Sequence, residues 1–250
     1  MTSEKADGPR RVLRISGEDW RDFLQNLVTN DLDKLKDGPV YAALLTPQGK
    51  LIADFILIAD GDGVLLDVAE VWADTLKQRL TMYKLRAKVT IEETGLKVKR
   101  GTSEAPDGAV IDPRSPALGW RLYGDEDGDD GSDFVAIRVA QMVPESDIDL
   151  GADTYILEMG FERLNGVDFR KGCYVGQEVT ARMKHKTELR KGLRLVHVGE
   201  GATTGAEITR DGKPVGTLLT VAGDAALAYL RFDRVGAGME ADGVAVTQLA

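Results

Sequence analysis

The chain carries one cysteine, Cys173, and two histidines, His185 and His197, among its 250 residues. A single thiol forms no internal disulfide, and it falls short of the about four ligands that hold an iron–sulfur cluster. With so few cysteines and histidines a His/Cys zinc site is not expected either, so no resident metal is assigned. No apolar run reaches the roughly 18 residues a membrane helix needs. Met1–Arg11 is polar and lacks an apolar stretch before a small-residue cleavage site, so no secretory signal is read and a cytoplasmic protein is expected. There is no Walker-type or Rossmann-type glycine loop, and no repeat. Chemistry on this chain has to come from carboxylates, arginines, one thiol or a borrowed cofactor.

What is present is the mixture of an ordinary globular protein, 43% apolar and 29% charged. The length suits one large domain, or a main domain with a smaller partner. A formal net charge of −9 argues against general nucleic-acid binding, which needs positive surface to neutralise phosphates. The charge is unevenly spread. Arg163–Arg194 holds nine Lys/Arg against three Asp/Glu, and that local excess points to an anionic partner.

Residues 1–10 read as a loose tail. A helix is predicted to open near Ser16, with Trp20, Phe23, Leu24, Leu27 and Val28 forming its apolar stripe. Tyr41–Thr46 and Leu51–Ala59 are strand-like, joined by the turn Pro47-Gln48-Gly49, and Val64–Val68 follows. A second amphipathic helix carries Val71, Trp72, Leu76, Leu80 and Tyr83. Ala87–Glu92 and Leu96–Lys99 read as two more strands. The acidic stretch Asp125–Asp133 lacks the glycine and glutamate spacing of a calcium loop and reads as a solvated loop. After Arg190 short strand candidates follow one another at close intervals: Gly192–Val198, Glu207–Arg210, Pro214–Val221, Ala225–Arg231 and Val244–Leu249. That texture predicts a small β-barrel or sandwich over 190–250, after a main domain over 11–189.

Two carboxylates stand out by position. Asp54 interrupts the apolar strand Leu51–Ile58, and Glu158 sits inside Tyr155-Ile156-Leu157-Glu158-Met159-Gly160-Phe161. A carboxylate in such company is costly unless something pairs with it. Each has two readings: a structural pair with an arginine or backbone amide, or a carboxylate lining a pocket and receiving N–H groups from a heterocycle. The third feature is Lys171-Gly172-Cys173-Tyr174-Val175-Gly176-Gln177-Glu178, a tight backbone path into a helix starting near Gln177. A lone cysteine is commonly a small buried apolar residue. Lys171, Arg182 and the helix N-terminus would favour its thiolate if they lie close to it.

Lys171–Glu178 matches throughout the signature of the YgfZ family of folate-binding proteins, related to the glycine-cleavage aminomethyltransferase. The likeness continues in Phe23-Leu24-Gln25, Val28-Thr29-Asn30-Asp31, Leu45–Lys50 with Asp54, Tyr83–Val89, Asp112-Pro113-Arg114 and Leu164–Phe169. It covers most of 12–192, while Asn26, Lys186-Thr187 and Gln141–Glu145 depart from the family pattern. The resemblance implies an α+β fold of aminomethyltransferase-like modules around a central opening, then a C-terminal β-barrel. It also implies tetrahydrofolate, in free or polyglutamylated form, as ligand, and iron–sulfur client proteins or assembly machinery as partners. By motif position Asp54 resembles the aspartate near the folate's reactive end, and Glu158 resembles the glutamate that grips the pterin. Tyr174 joins them as a cofactor-binding candidate. Arg182, Lys186 and Arg190 suit the folate's carboxylate tail, and Cys173 is the family's marker residue. Asp54 and Cys173 are the candidates for chemistry. The leading expectation is an accessory protein for cluster assembly or repair. Its rivals are a folate-dependent aminomethyltransferase or demethylase, and an RNA- or protein-binding module.

Overall fold

The computed structural model describes residues 8–186 and 188–249, with the side chain of Lys186 left out. The first sheet contains β1 (Arg10–Ser16), β2 (Val40–Leu45), β3 (Leu51–Asp60), β4 (Gly63–Ala69) and β5 (Thr90–Glu93), in the order β2-β3-β4-β1-β5. All its pairings are antiparallel. Leu51–Ile58 is buried without interruption because both faces of β3 are covered. On one face Ala53, Phe55 and Leu57 pack with α1 (Trp20–Gln25) and with α2 (Glu70–Lys84), which contributes Ala73, Leu76 and Leu80. On the other face Ile56 and Ile58 enter a core shared with Phe134, Leu157, Phe161, Tyr174 and Leu193. Strand alternation puts Asp54 on this second face, between layers.

The second sheet has the order β7-β8-β6-β9. Its strands are β6 (Lys97–Gly101), β7 (Val110–Ile111), β8 (Trp120–Gly124) and β9 (Gly128–Asp129). Next come α3 (Phe134–Ala140) and, after a long irregular stretch, α4 (Gln177–Lys186). The C-terminal strands are β10 (Lys191–Val198), β11 (Glu207–Arg210), β12 (Lys213–Ala222), β13 (Ala225–Arg231), β14 (Met239–Ala241) and β15 (Val244–Gln248). They close as a barrel in the order β10-β13-β12-β11-β14-β15, with β10 pairing β15. The barrel has its own interior of Val196, Ile208, Leu218, Leu230 and Val246.

Local differences from the sequence reading have physical causes. Ser16 does not open a helix, because it ends β1 and pairs with Thr90. The chain reverses at Gly17, φ +107°, and α1 begins at Trp20. The acidic stretch is exposed yet anchored: Asp130 accepts from Thr102 N and Ser103 N, both at 2.9 Å. With Ser132, these donors hold its carboxyl below the usual range.

Candidate functional site

Asp54 is only 2% exposed, and hydroxyls satisfy it. Tyr41 Oη donates to one carboxylate oxygen at 3.0 Å and Ser146 Oγ to the other at 2.6 Å. Burial pushes its pKa up, against the pull of the Ser146 bond and of the nearby Arg10 and Arg114 charges. Burial and Asp54 likewise raise Tyr41 well above a free phenol. The Tyr41 ring packs on Phe161 at 5.0 Å between centroids.

Beside Asp54 lies a buried ionic network that sequence reasoning did not anticipate. Asp67 takes Arg10 Nε at 2.6 Å, Arg121 Nη1 at 3.1 Å and Tyr123 Oη at 2.9 Å. Asp112 takes Arg114 Nη2 and Arg121 Nε, each at 2.8 Å. Glu145 lies 3.7 Å from both Arg10 and Arg138, and Asp149 lies 3.3 Å from Arg138. Asp149 reaches the barrel as well, accepting from Thr220 N at 2.8 Å. Burial alone would raise Asp67 and Asp112, but the arginines outweigh it and both carboxyls fall below the usual range. The available signals were Asp67 inside a fully apolar strand and Arg138 inside the apolar helix Phe134–Ala140.

Glu158 is placed differently. It is half-buried, and Tyr229 Oη of β13 donates to it. Burial and this bond raise the Tyr229 pKa. Leu193 N donates to Glu158 O at 2.7 Å, which fixes the segment to the start of the barrel. Glu158 and Tyr229 line a cavity of 580 Å³ between α4 and the barrel. Met183, Leu189 and Val215 supply apolar wall, and Arg190, Lys191, Arg231 and Arg234 supply cations. Glu188 and Glu207 offset part of that positive charge.

The structure brings Glu158 and Arg190 to one cavity, while Asp54 is buried and does not line it. Tyr174 is buried in the shared core, its hydroxyl pushed up to about 12 by burial. Its ring lies 5.3 Å from the Lys171 ammonium. Arg182 is exposed on α4. Lys186 ends that helix, with its side chain outside the described residues. Cys173 is free and exposed.

The loop around Cys173 is built against the β2–β3 turn. Gly176 adopts φ +83°, and a Cβ there would lie 2.7 Å from Thr46 O and 2.9 Å from Leu45 Cβ. Gly49, in that turn, is equally confined by Val179 of α4. Both positions therefore need glycine for close approach as well as for a left-handed backbone. Lys171 does not face the thiol as a neighbouring charge. Its ammonium donates to three backbone carbonyls, one at the end of α1 and two in the segment after it, and desolvation lowers its pKa to about 8.

A family model described as the CAF17 C-terminal beta-barrel domain matches residues 190–249. The human mitochondrial iron–sulfur cluster assembly factor IBA57 is 31% identical, the match covering 92% of this chain and 78% of that protein. Its mouse counterpart is 32% identical, with 94% and 78% covered. The homologue from Mycosarcoma maydis is 34% identical over 73% of this chain, which spans only 54% of that longer protein. Among solved structures, the glycine cleavage system aminomethyltransferase T from Bartonella henselae superposes with a TM-score of 0.74 at 12% identity. That match covers 98% of this chain and 86% of the other, and it establishes the shared fold. The expected cytoplasmic location is overturned, because these relatives are named as mitochondrial proteins. With an aminomethyltransferase-like fold completed by a C-terminal barrel, the chain belongs to the IBA57 family of iron–sulfur cluster assembly factors.

Proposed function

We propose that the chain is a tetrahydrofolate-binding accessory protein, of the YgfZ type, that serves iron–sulfur cluster assembly or repair in client proteins. The observation that carries the ligand assignment is Glu158, held by Tyr229 at the wall of a 580 Å³ cavity. Small-molecule sites run to about 300–1,000 Å³, and this cavity falls within that range. Glu158 offers a carboxylate to paired N–H donors on the edge of a flat heterocycle. Met183, Leu189 and Val215 suit its faces. Arg190, Lys191, Arg231 and Arg234 suit a carboxylate tail. Arg182, Lys186 and Tyr174 stay in the assignment as residues of the neighbouring helix and loop. Tetrahydrofolate, when bound, supplies a reduced ring able to carry a one-carbon unit. Asp54 holds the Tyr41 and Ser146 hydroxyls in the interior. Cys173, exposed on the loop before α4, meets the client or the assembly machinery.

The fold likeness to an aminomethyltransferase supports a second reading, a one-carbon transferase using Asp54 to hold the reacting amine. Cells lacking the chain separate the two. An accessory factor predicts that several cluster enzymes lose activity together, and that the purified protein forms no methylene-tetrahydrofolate from amine donors. Turnover abolished by Asp54→Asn, with cluster enzymes unaffected by the deletion, would establish the transferase instead.

A further inference from the structure

Lys171 is 8% exposed, yet it carries a charge. Its Nζ lies 2.6 Å from Gln25 O, 2.6 Å from Val28 O and 3.1 Å from Asn30 O. An ammonium has three protons, and each has its own carbonyl. These acceptors span the end of α1 and the segment after it. The charges facing the ammonium are Asp31 and Asp168, which favour it, and Lys34, which opposes it. Lys34 is itself tied to Asp168 at 2.7 Å and to Asn30 Oδ1 at 2.8 Å.

The same two stretches are joined at further points. Thr29 Oγ1 donates to Gly166 O at 2.7 Å, Asn30 Nδ2 to Asn165 O at 2.6 Å, and Asp168 N to Thr29 O at 3.0 Å. Lys171 is the last of these ties before the chain emerges. Gly172 and Cys173 are exposed, with nothing within 4 Å of where a Gly172 side chain would begin. The chain then re-enters at Tyr174, buried in the core, and at Gly176, pressed on the β2–β3 turn. The thiol thus stands on a two-residue arch with a buried post on either side. At about 3.3–3.6 Å per extended residue, so short an arch gives it little room to wander.

A buried ammonium is a costly anchor where an apolar side chain would fill the space with less desolvation. What it supplies instead is a directional hold on three carbonyls at once. We propose that Lys171 is the positioning residue for Cys173, tying the foot of the thiol arch to the end of α1 so that a client meets the thiol at a fixed point. This rests on the reading that Cys173 contacts the client, and it assigns the task of presenting the thiol to a side chain that points away from it.

The test uses the full chain carrying Lys171→Met, which keeps an unbranched side chain, one atom shorter, and removes its donors. Amide exchange over 172–175 should accelerate at least tenfold. In cells lacking the wild-type chain, recovery of a cluster-dependent enzyme should fall at least tenfold, while tetrahydrofolate affinity stays within twofold. Cys173 is the sole cysteine, so the alkylation rate of the whole protein reports this thiol and should change with the loosened arch. Exchange within twofold of wild type overturns the proposal, and so does full client recovery despite a loosened arch. If Lys171→Met does not fold, side-chain ammonium NMR on the wild type decides. A Lys171 signal protected from water supports the anchor, and one exchanging as fast as exposed Lys213 overturns it. Client recovery that survives Cys173→Ser would remove the reading beneath the proposal, and the exchange measurement would still report on the arch itself.

Discussion

The same substitution at two buried aspartates should have opposite consequences. Asp67 lies against two guanidinium groups, Arg10 at 2.6 Å and Arg121 at 3.1 Å. Asp67→Asn leaves both with less negative charge at a position that is itself fully buried. Breaking a buried pair in this way costs about 3–5 kcal/mol, and the surviving Asp112–Arg121 contact favours the lower end. Asp54 has hydroxyl partners, and the charged form is already disfavoured there by burial. Asp54→Asn removes that penalty and keeps an acceptor for one hydroxyl, so stability should change by less than about 1 kcal/mol. Urea unfolding at pH 7 reads both differences. The pH dependence has opposite signs as well. The folded pKa of Asp67 is depressed, so its advantage over asparagine is complete above the unfolded value of about 3.9 and is lost as pH falls through the folded value. The folded pKa of Asp54 is raised, so any gain from asparagine there is present above that value and vanishes as pH falls toward about 3.9. Equal destabilisation by the two variants would refute the assignment of these charge states to their surroundings.

Other positions give sharper local outcomes. Gly176→Ala places a Cβ 2.7 Å from Thr46 O at φ +83°, and thermal unfolding should register a loss of about 2 kcal/mol or more. Thr220→Val removes the hydroxyl that donates to the Asp149 carboxylate, one of the ties between the network and the barrel. It should cost about 1–3 kcal/mol in urea unfolding. Tyr229→Phe frees the Glu158 carboxylate, and calorimetric titration should show weaker tetrahydrofolate binding with little change in thermal stability.

β2 to β6, the helix opening at Gln177 and most barrel strands were legible because apolar runs and turn residues mark them locally, whereas β1, β7, β8 and β9 were not. β14, Met239–Ala241, was not; three residues carry too short a pattern to read. Asp54 and Glu158 were recognisable as stranded carboxylates, but their partners were not. Ser146 lies 92 positions from Asp54 and Tyr229 lies 71 from Glu158, and hydroxyl partners leave no charge pattern in the chain. The arginine network failed to appear for the same reason, with Arg10 and Asp67 separated by 57 positions. Lys171 was counted among charges near the thiol, and only the fold shows its side chain turned toward the end of α1.

Calorimetric titration of the purified protein with tetrahydrofolate, beside Glu158→Gln, measures whether the Glu158 cavity is the ligand site. One ligand should bind per chain, and at least tenfold more weakly to the variant, whose loss of charge removes the grip on the ring. A protein that takes up no tetrahydrofolate, or a variant that binds it as tightly as the wild type, contradicts the account.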